Sequence, residues 1–233
     1  MEFFRFWKQP PLPIERNTPL ADTRYVVIDT ELTGLNERKD SIISIGAVRM
    51  SGMRIELGNT FHRLVKPVAG FKPESVVIHG ITPSDVQSQP GIKPILSEFL
   101  QFCGDDIIVG HCVSIDLRFL GREMKRSLGG SMQNTAIDTF RVYEWLCRKT
   151  AREGCFSAIP RDASLYTIAK CFGITVRGAH DALIDAYITA QLFQRFFPVL
   201  LETGVQQIGD LIEIGNPEKG GGAFKLTGEI SNL

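Results

Sequence analysis

Five side chains in this 233-residue sequence stand out for the chemistry they could do together: Asp29, Glu31, Asp116, His180 and Asp185. Asp29 and Glu31 close a short apolar run, Tyr25-Val-Val-Ile28, that reads as a buried strand. Strand side chains alternate faces, so both carboxylates leave one face at the strand's end, where a hard cation can be bound. Leu32-Thr33-Gly34 follows as a turn that leaves this end open to a ligand. A lone Asp-x-Glu is ordinarily no more than an exposed acidic strand end. Asp116 lies beyond Gly110-His111-Cys112 near the start of an amphipathic helix, where an acid is often only a cap or a dipole partner. Asp185 falls within a helix that begins near Asp181, with His180 on the incoming loop. On one continuous helix, residues five apart diverge by about 140°, whereas from the loop His180 can lean over the position Asp185 faces. The plain alternative has Asp181 capping the helix and His180 merely beside it.

The elements that must position these residues follow from pattern. Ser41 to Met50 and Arg54 to Val65 read as two strands joined at Ser51-Gly52 as a hairpin. Thr82-Pro83-Ser84-Asp85 is a helix-start signal, with a hydroxyl cap, a proline at the first helical position and an acid at the third. Helical spacing runs over Ile92–Phe102 and Asp116–Leu128, with strands at Ile107–Val109 and Thr135–Asp138. Two further helices fall around Leu165–Phe172 and Asp181–Phe197. This order predicts an α/β fold: a mixed sheet with an antiparallel three-strand start and helices on both faces.

Residues 1–22, with Gln9-Pro-Pro-Leu-Pro13, read as an N-terminal arm, and Phe3, Phe4, Phe6 and Trp7 suit a short helix that docks by packing. Residues 23–203 read as one catalytic domain, and residues 204–233, with the run Gly220-Gly221-Gly222, as a flexible tail.

Hydrophobic residues at 43% and charged residues at 22% describe an ordinary soluble globular protein. The formal net charge is zero, so a nucleic-acid partner would be met in a local site rather than by a generally basic surface. Five cysteines without a CxxC pair read as reduced thiols in a cytoplasmic protein. No apolar run has the length of a membrane span, and the N-terminus lacks the apolar core of a signal peptide.

Asp29-Thr30-Glu31-Leu-Thr-Gly34, Val109-Gly-His-Cys-Val-Ser-Ile-Asp116 and His180-Asp-Ala-Leu-Ile-Asp185 together, in this order, resemble the three motifs of the DEDDh 3′→5′ exonucleases. The resemblance spans roughly Arg24 to Phe197 and is greatest to proofreading subunits of bacterial replicative polymerases. It implies a ribonuclease-H-like fold and a two-metal hydrolysis of phosphodiester bonds that releases nucleoside monophosphates. Hard carboxylate ligands suit two Mg²⁺ or Mn²⁺ ions. By the resemblance, Asp29 bridges them, Glu31 and Asp185 serve the first, and Asp116 serves the second. His180, of a residue type that titrates near neutrality, is the general base. Thr30, Leu32, Thr33, His79 and Gly80 are the implied substrate contacts, although helix capping explains the neighbouring Thr82 equally well. Asp138 resembles a family acid outside the metal set, and Cys112 departs from the family, which commonly has Asn there. The expected partner is a nucleic-acid 3′ end, DNA ahead of RNA, with a DNA polymerase as a candidate associate. An oligoribonuclease-type RNA exonuclease and an inactive binding module are the alternatives. The sequence is silent on oligomeric state.

Overall fold

The computed structural model describes residues 14–68, 70–150 and 154–218. Its framework is one five-stranded mixed sheet of β1 (Arg24–Leu32), β2 (Ile42–Ser51), β3 (Arg54–Leu64), β4 (Ile107–Gly110) and β5 (Ala136–Asp138) in the order β3-β2-β1-β4-β5. β1, β2 and β3 form an antiparallel meander, while β4 pairs parallel to β1 and β5 parallel to β4. The expected fold class, with its antiparallel start, is the one observed.

β1 is the central strand, and Tyr25, Val26, Val27 and Ile28 are all buried. Tyr25 and Val27 pack into a core with α5 (Thr139–Thr150), α6 (Leu165–Cys171), α7 (Ala182–Glu202) and α8 (Ile208–Ile214). Val26 and Ile28 pack on the opposite face against α3 (Ile92–Cys103) and α4 (Ser114–Leu128). The same alternation, continued along β1, turns Asp29 and Glu31 toward α7 and Thr30 toward α4.

α7 can come close to the sheet because β2 carries Gly46, which pairs with Asp29. A Cβ at Gly46 would run into the backbone of Ala182 and Leu183. The first turn of α7 therefore rests directly on the strand beside the acidic residues.

The structure adds elements absent from the pattern reading. α1 (Pro73–His79) is short, and α2 (Pro83–Gln87) starts as the capping signal predicts, with the Thr82 N–H donating to Asp85 Oδ2 at 2.7 Å. α5 follows β5 directly, and its opening Thr139-Phe-Arg-Val-Tyr143 favours strands by residue type, although its buried positions have helical spacing. α8 lies in the segment expected as tail, with Ile208 and Leu211 fully buried. Its N-terminus is tied to the lead-in: the Ile208 N–H donates to Thr18 O at 2.9 Å and the Gly209 N–H to Arg16 O at 2.9 Å. The described parts of the expected arm and tail thus hold one another, with Leu20 in the core. The aromatic run Phe3–Trp7, Gln9–Pro13 and Gly220–Gly222 lie outside the described residues.

The expectation of five thiols is corrected for two. Cys155 and Cys171 form a disulfide with their Cα atoms 5.6 Å apart, while Cys103, Cys112 and Cys147 are free. Their separation of 16 residues carries no motif that would have revealed the pairing. Among the described residues, no helix is long and apolar enough to cross a membrane.

Gly46→Ala should push the start of α7 off β2 and cost about 1–3 kcal/mol of unfolding free energy, as overpacking does. Urea denaturation checks this; an unchanged midpoint would mean that the close approach is not required.

Candidate metal centre

Asp29 and Glu31 reach the α7 side of the sheet, and α7 brings Asp185 to meet them. The three offer carboxylate oxygens within 4.8 Å of one another. The placement is local in origin. The Asp181 carboxylate caps α7 by accepting the N–H groups of Leu183 and Ile184, each at 3.0 Å, so Asp185 falls in the first turn. Glu31 and Asp185 are buried, and Asp29 is partly exposed.

Asp116 enters from the other face. Thr30 points toward α4 and donates its hydroxyl to Asp116 Oδ1 at 2.6 Å. Asp116 stands outside the set of three that closes within 4.8 Å, yet its charge acts on both Asp29 and Glu31. The four acids are therefore one electrostatic unit assembled from both sides of β1.

That unit is unfavourable when fully ionised. Burial, then the charges of Asp116, Glu31 and Asp185, raises Asp29 well above the usual carboxylate range. Burial first and the Asp185 charge next push Glu31 up to about 8. Burial raises Asp116 to about 7 against the opposing hydrogen bond from Thr30. Asp185 is raised by burial, with the Tyr166 hydroxyl and the His180 N–H opposing. Asp185 Oδ1 is also buried without any hydrogen-bond donor. An unpaired buried carboxylate oxygen is costly, and an all-carboxylate donor set around it fits a divalent cation.

His180 occupies the loop before α7 at φ 65°, an uncommon conformation for a residue with a side chain. Its N–H donates to Tyr166 Oη at 2.8 Å and to Asp185 Oδ2 at 3.0 Å. Tyr166, on α6, donates its hydroxyl to Asp185 Oδ2 at 2.5 Å and meets the His180 ring edge-on at 5.0 Å. His180 Nδ1 lies 3.2 Å from that same hydroxyl. With Asp185 ionised, the single tyrosine proton belongs to the carboxylate, so Nδ1 must be the donor to Tyr166. In the neutral imidazole this leaves the lone pair on Nε2. Tyr166 is the site residue missing from the sequence reading: a tyrosine within the apolar spacing of Leu165–Phe172 looks like core, and nothing local distinguishes it.

The expected substrate contacts divide. His79 ends α1, and Gly80 closes that helix at φ 69°. His79 Nδ1 accepts the Ile81 N–H at 3.0 Å, while Nε2 is buried without a partner. Burial, then the charge of His180, lowers the His79 pKa, which puts the two rings in one neighbourhood. Leu32 packs against the α3 and α4 core. Thr33 is 0% exposed and its hydroxyl accepts the Ser41 N–H at 2.9 Å, so its side chain is committed to the loop rather than offered to a ligand. The Thr30 hydroxyl is likewise occupied by Asp116.

Cys112 sits at φ 53° in the turn between β4 and α4, a conformation asparagine adopts more readily. Its N–H donates to Asp138 Oδ1 at 3.0 Å, and Asp138 also accepts the Phe140 N–H at 2.9 Å. Asp138 therefore braces the turn that delivers Asp116. His111 is tied to Thr139 Oγ1 at 3.0 Å and to Ala163 O at 3.3 Å, and burial pushes its pKa down to about 4.

Residues 26–193 match the family model RNase_T, described as exonuclease. The chain is 35% identical over 215 residues to the DNA polymerase III subunit epsilon of Aquifex aeolicus, covering 91% of this chain and 98% of that protein. It is 32% identical over 203 residues to the PolC-type DNA polymerase III of Thermotoga maritima, covering 85% of this chain but 14% of that much longer protein. Among solved structures, exonuclease X in complex with 5′ overhanging duplex DNA superposes with a TM-score of 0.61 at 26% identity, over 81% of this chain and 99% of that one. E. coli exonuclease I in complex with a dT13 oligonucleotide gives 0.66 at 18% identity, over 77% of this chain and 42% of that one.

Raised carboxylate pKa values fix the sign of a pH effect. The folded state holds protons that the unfolded state has released, so this contribution to stability is lost as pH rises. In chelator, the melting temperature of wild type relative to Glu31→Gln should fall between about pH 4 and about pH 8, the upper limit being the raised value of Glu31 itself. Saturating Mg²⁺ or Mn²⁺ should flatten the decline by binding the folded state. A metal-free difference that is flat with pH would contradict the account.

Proposed function

The chain belongs to the exonuclease family, and from that premise we propose that it is a metal-dependent 3′→5′ DNA exonuclease releasing nucleoside monophosphates in proofreading or repair. The carrying observation is the convergence of Asp29, Glu31 and Asp185 within 4.8 Å, beside a histidine held by the same Asp185. In this reading Asp29, Glu31 and Asp185 would hold one Mg²⁺ or Mn²⁺ ion, and Asp29 and Asp116 would hold a second. Such ions would orient water, offset the phosphate charge and stabilise the departing 3′ oxygen.

The chain's own residues then have distinct tasks. His180 takes a proton from the attacking water at Nε2, the ring nitrogen left free by the contact of Nδ1 with Tyr166. The water oxygen bonds to phosphorus, the bond to the 3′ oxygen breaks, and that oxygen takes a proton from solvent water to become the hydroxyl of the shortened strand, while His180 returns its proton to solvent. Tyr166 and the His180 N–H hold Asp185 Oδ2, which leaves Oδ1 for a cation. His79, close to His180 and with Nε2 unpaired, would meet the terminal nucleotide in this reading.

DNA is favoured over RNA because the similar proteins are a polymerase III subunit and a polymerase III of the PolC type. The near-complete coverage of the epsilon subunit supports a DNA polymerase as partner and a cytoplasmic setting with it. The chain spans only 14% of the PolC-type protein, so it would correspond to one domain of such an enzyme.

A 5′-labelled strand incubated with the protein and Mn²⁺ should shorten from its 3′ end. Asp29→Ala should abolish this, and His180→Ala should lower kcat by about 100- to 10,000-fold, the usual worth of a general base. Absence of metal-dependent shortening of DNA and RNA would overturn the enzyme reading; cleavage of short RNA alone would reassign the substrate.

A further inference from the structure

α4 leads away from the acidic cluster with arginines at regular spacing. Arg118 lies two residues beyond Asp116, and Arg122 and Arg126 follow it at intervals of four, which keeps the three arginines on one stripe of the helix, on a different side from Asp116. By helical rise they lie about 3, 9 and 15 Å beyond Asp116. The loop leaving β1 closes against this stripe: Arg122 donates to Asp40 O at 2.8 Å, and Lys72 pairs with Asp40 Oδ2 at 2.7 Å. Arg38 and Lys39 from that loop, with Arg122 and Arg126, line a hollow of about 270 Å³.

Of the carboxylates in this region two are buried and paired with cations, while Glu37, beside Arg38, is exposed and offsets part of the charge. Asp40 is 3% exposed and engaged by Lys72, and Glu123 is 6% exposed and engaged by Arg122. Among the described residues, Arg38, Lys39, Arg118 and Arg126 form no ion pair, and all four are exposed. In a chain of zero net charge, this is a concentration of positive charge on the exposed side of the helix whose first turn carries the buried metal-site residue Asp116. Val68 is the one apolar residue lining the hollow, which suits a polyanion better than a protein segment needing an apolar anchor.

We propose that Arg38, Lys39, Arg118, Arg122 and Arg126 form a track for the phosphates of the strand whose 3′ end lies in the acidic cluster. This rests on the exonuclease reading. The stripe on α4 extends about 12 Å, and at about 3.4 Å of axial rise per nucleotide it spans roughly three to four phosphates of a duplexed strand, fewer of a stretched one. The strip supplies affinity and register, not sequence preference, because phosphates are alike at every base.

The test compares wild type with the triple variant Lys39→Ser, Arg118→Ser, Arg126→Ser, and with a control lacking three cations elsewhere, Arg54→Ser, Arg148→Ser, Lys149→Ser. The ratio of kcat/KM on an oligothymidylate reaching past Arg126 to that on a dithymidylate should fall about tenfold in the track variant and hold in the control. Strand binding followed by fluorescence anisotropy in Ca²⁺ should lose about 2 from the slope of log affinity against log salt, at about 0.7 per released contact. An unchanged ratio together with an unchanged slope overturns the track. If wild type cleaves neither substrate, the exonuclease reading fails separately, and the salt slope alone decides the track.

Discussion

Repulsion among four acids at the end of one strand is the constraint around which this molecule is arranged. Asp29, Glu31, Asp116 and Asp185 are drawn from three elements, and each is shifted toward its protonated form by burial. No sheet or helix gains from such a cluster by itself. It is held because β1 is clamped between strands on both edges and packed on both faces, so its end cannot splay apart to relieve the charge. The close seat of α7 on Gly46 fixes Asp185, and the hydrogen bond from Thr30 fixes Asp116.

Neutral donors around the cluster orient it without cancelling it. Tyr166 and the His180 N–H both engage Asp185 Oδ2, while Oδ1 is left without a partner. Thr30 engages one oxygen of Asp116, and Asp138 braces the backbone turn ahead of it. Asp185 and Asp116 are thus aimed by groups that carry no formal charge. The remaining charge must then be met by something that enters the site, as a cation would.

Much of this was legible in the sequence because it depends on periodicity. The apolar run before Asp29 and the two-residue alternation gave the strand and the shared face of Asp29 and Glu31. The break between loop and helix at Asp181 separated His180 from Asp185, as the observed cap does. What escaped was set by contacts between distant segments. Pattern alone did not bring Asp116 to the cluster, which it reaches through Thr30, 86 residues away in the chain, and only the family resemblance implied it; Tyr166, which reaches Asp185 from another helix, was missed altogether. Thr33 looked available beside the motif, yet the returning loop at Ser41 buries it. α8 and the strand-like lead-in escaped for the same reason, since each is stabilised by the other end of the chain.

The central claim is that these buried acids are assembled to hold cations, and direct counting of bound Mn²⁺ tests it. Electron paramagnetic resonance titration of the purified chain should show two saturable Mn²⁺ sites per chain, the tighter one lost in Asp185→Asn and Glu31→Gln variants that still fold. Absence of saturable binding, or binding that survives both substitutions unchanged, would contradict the account.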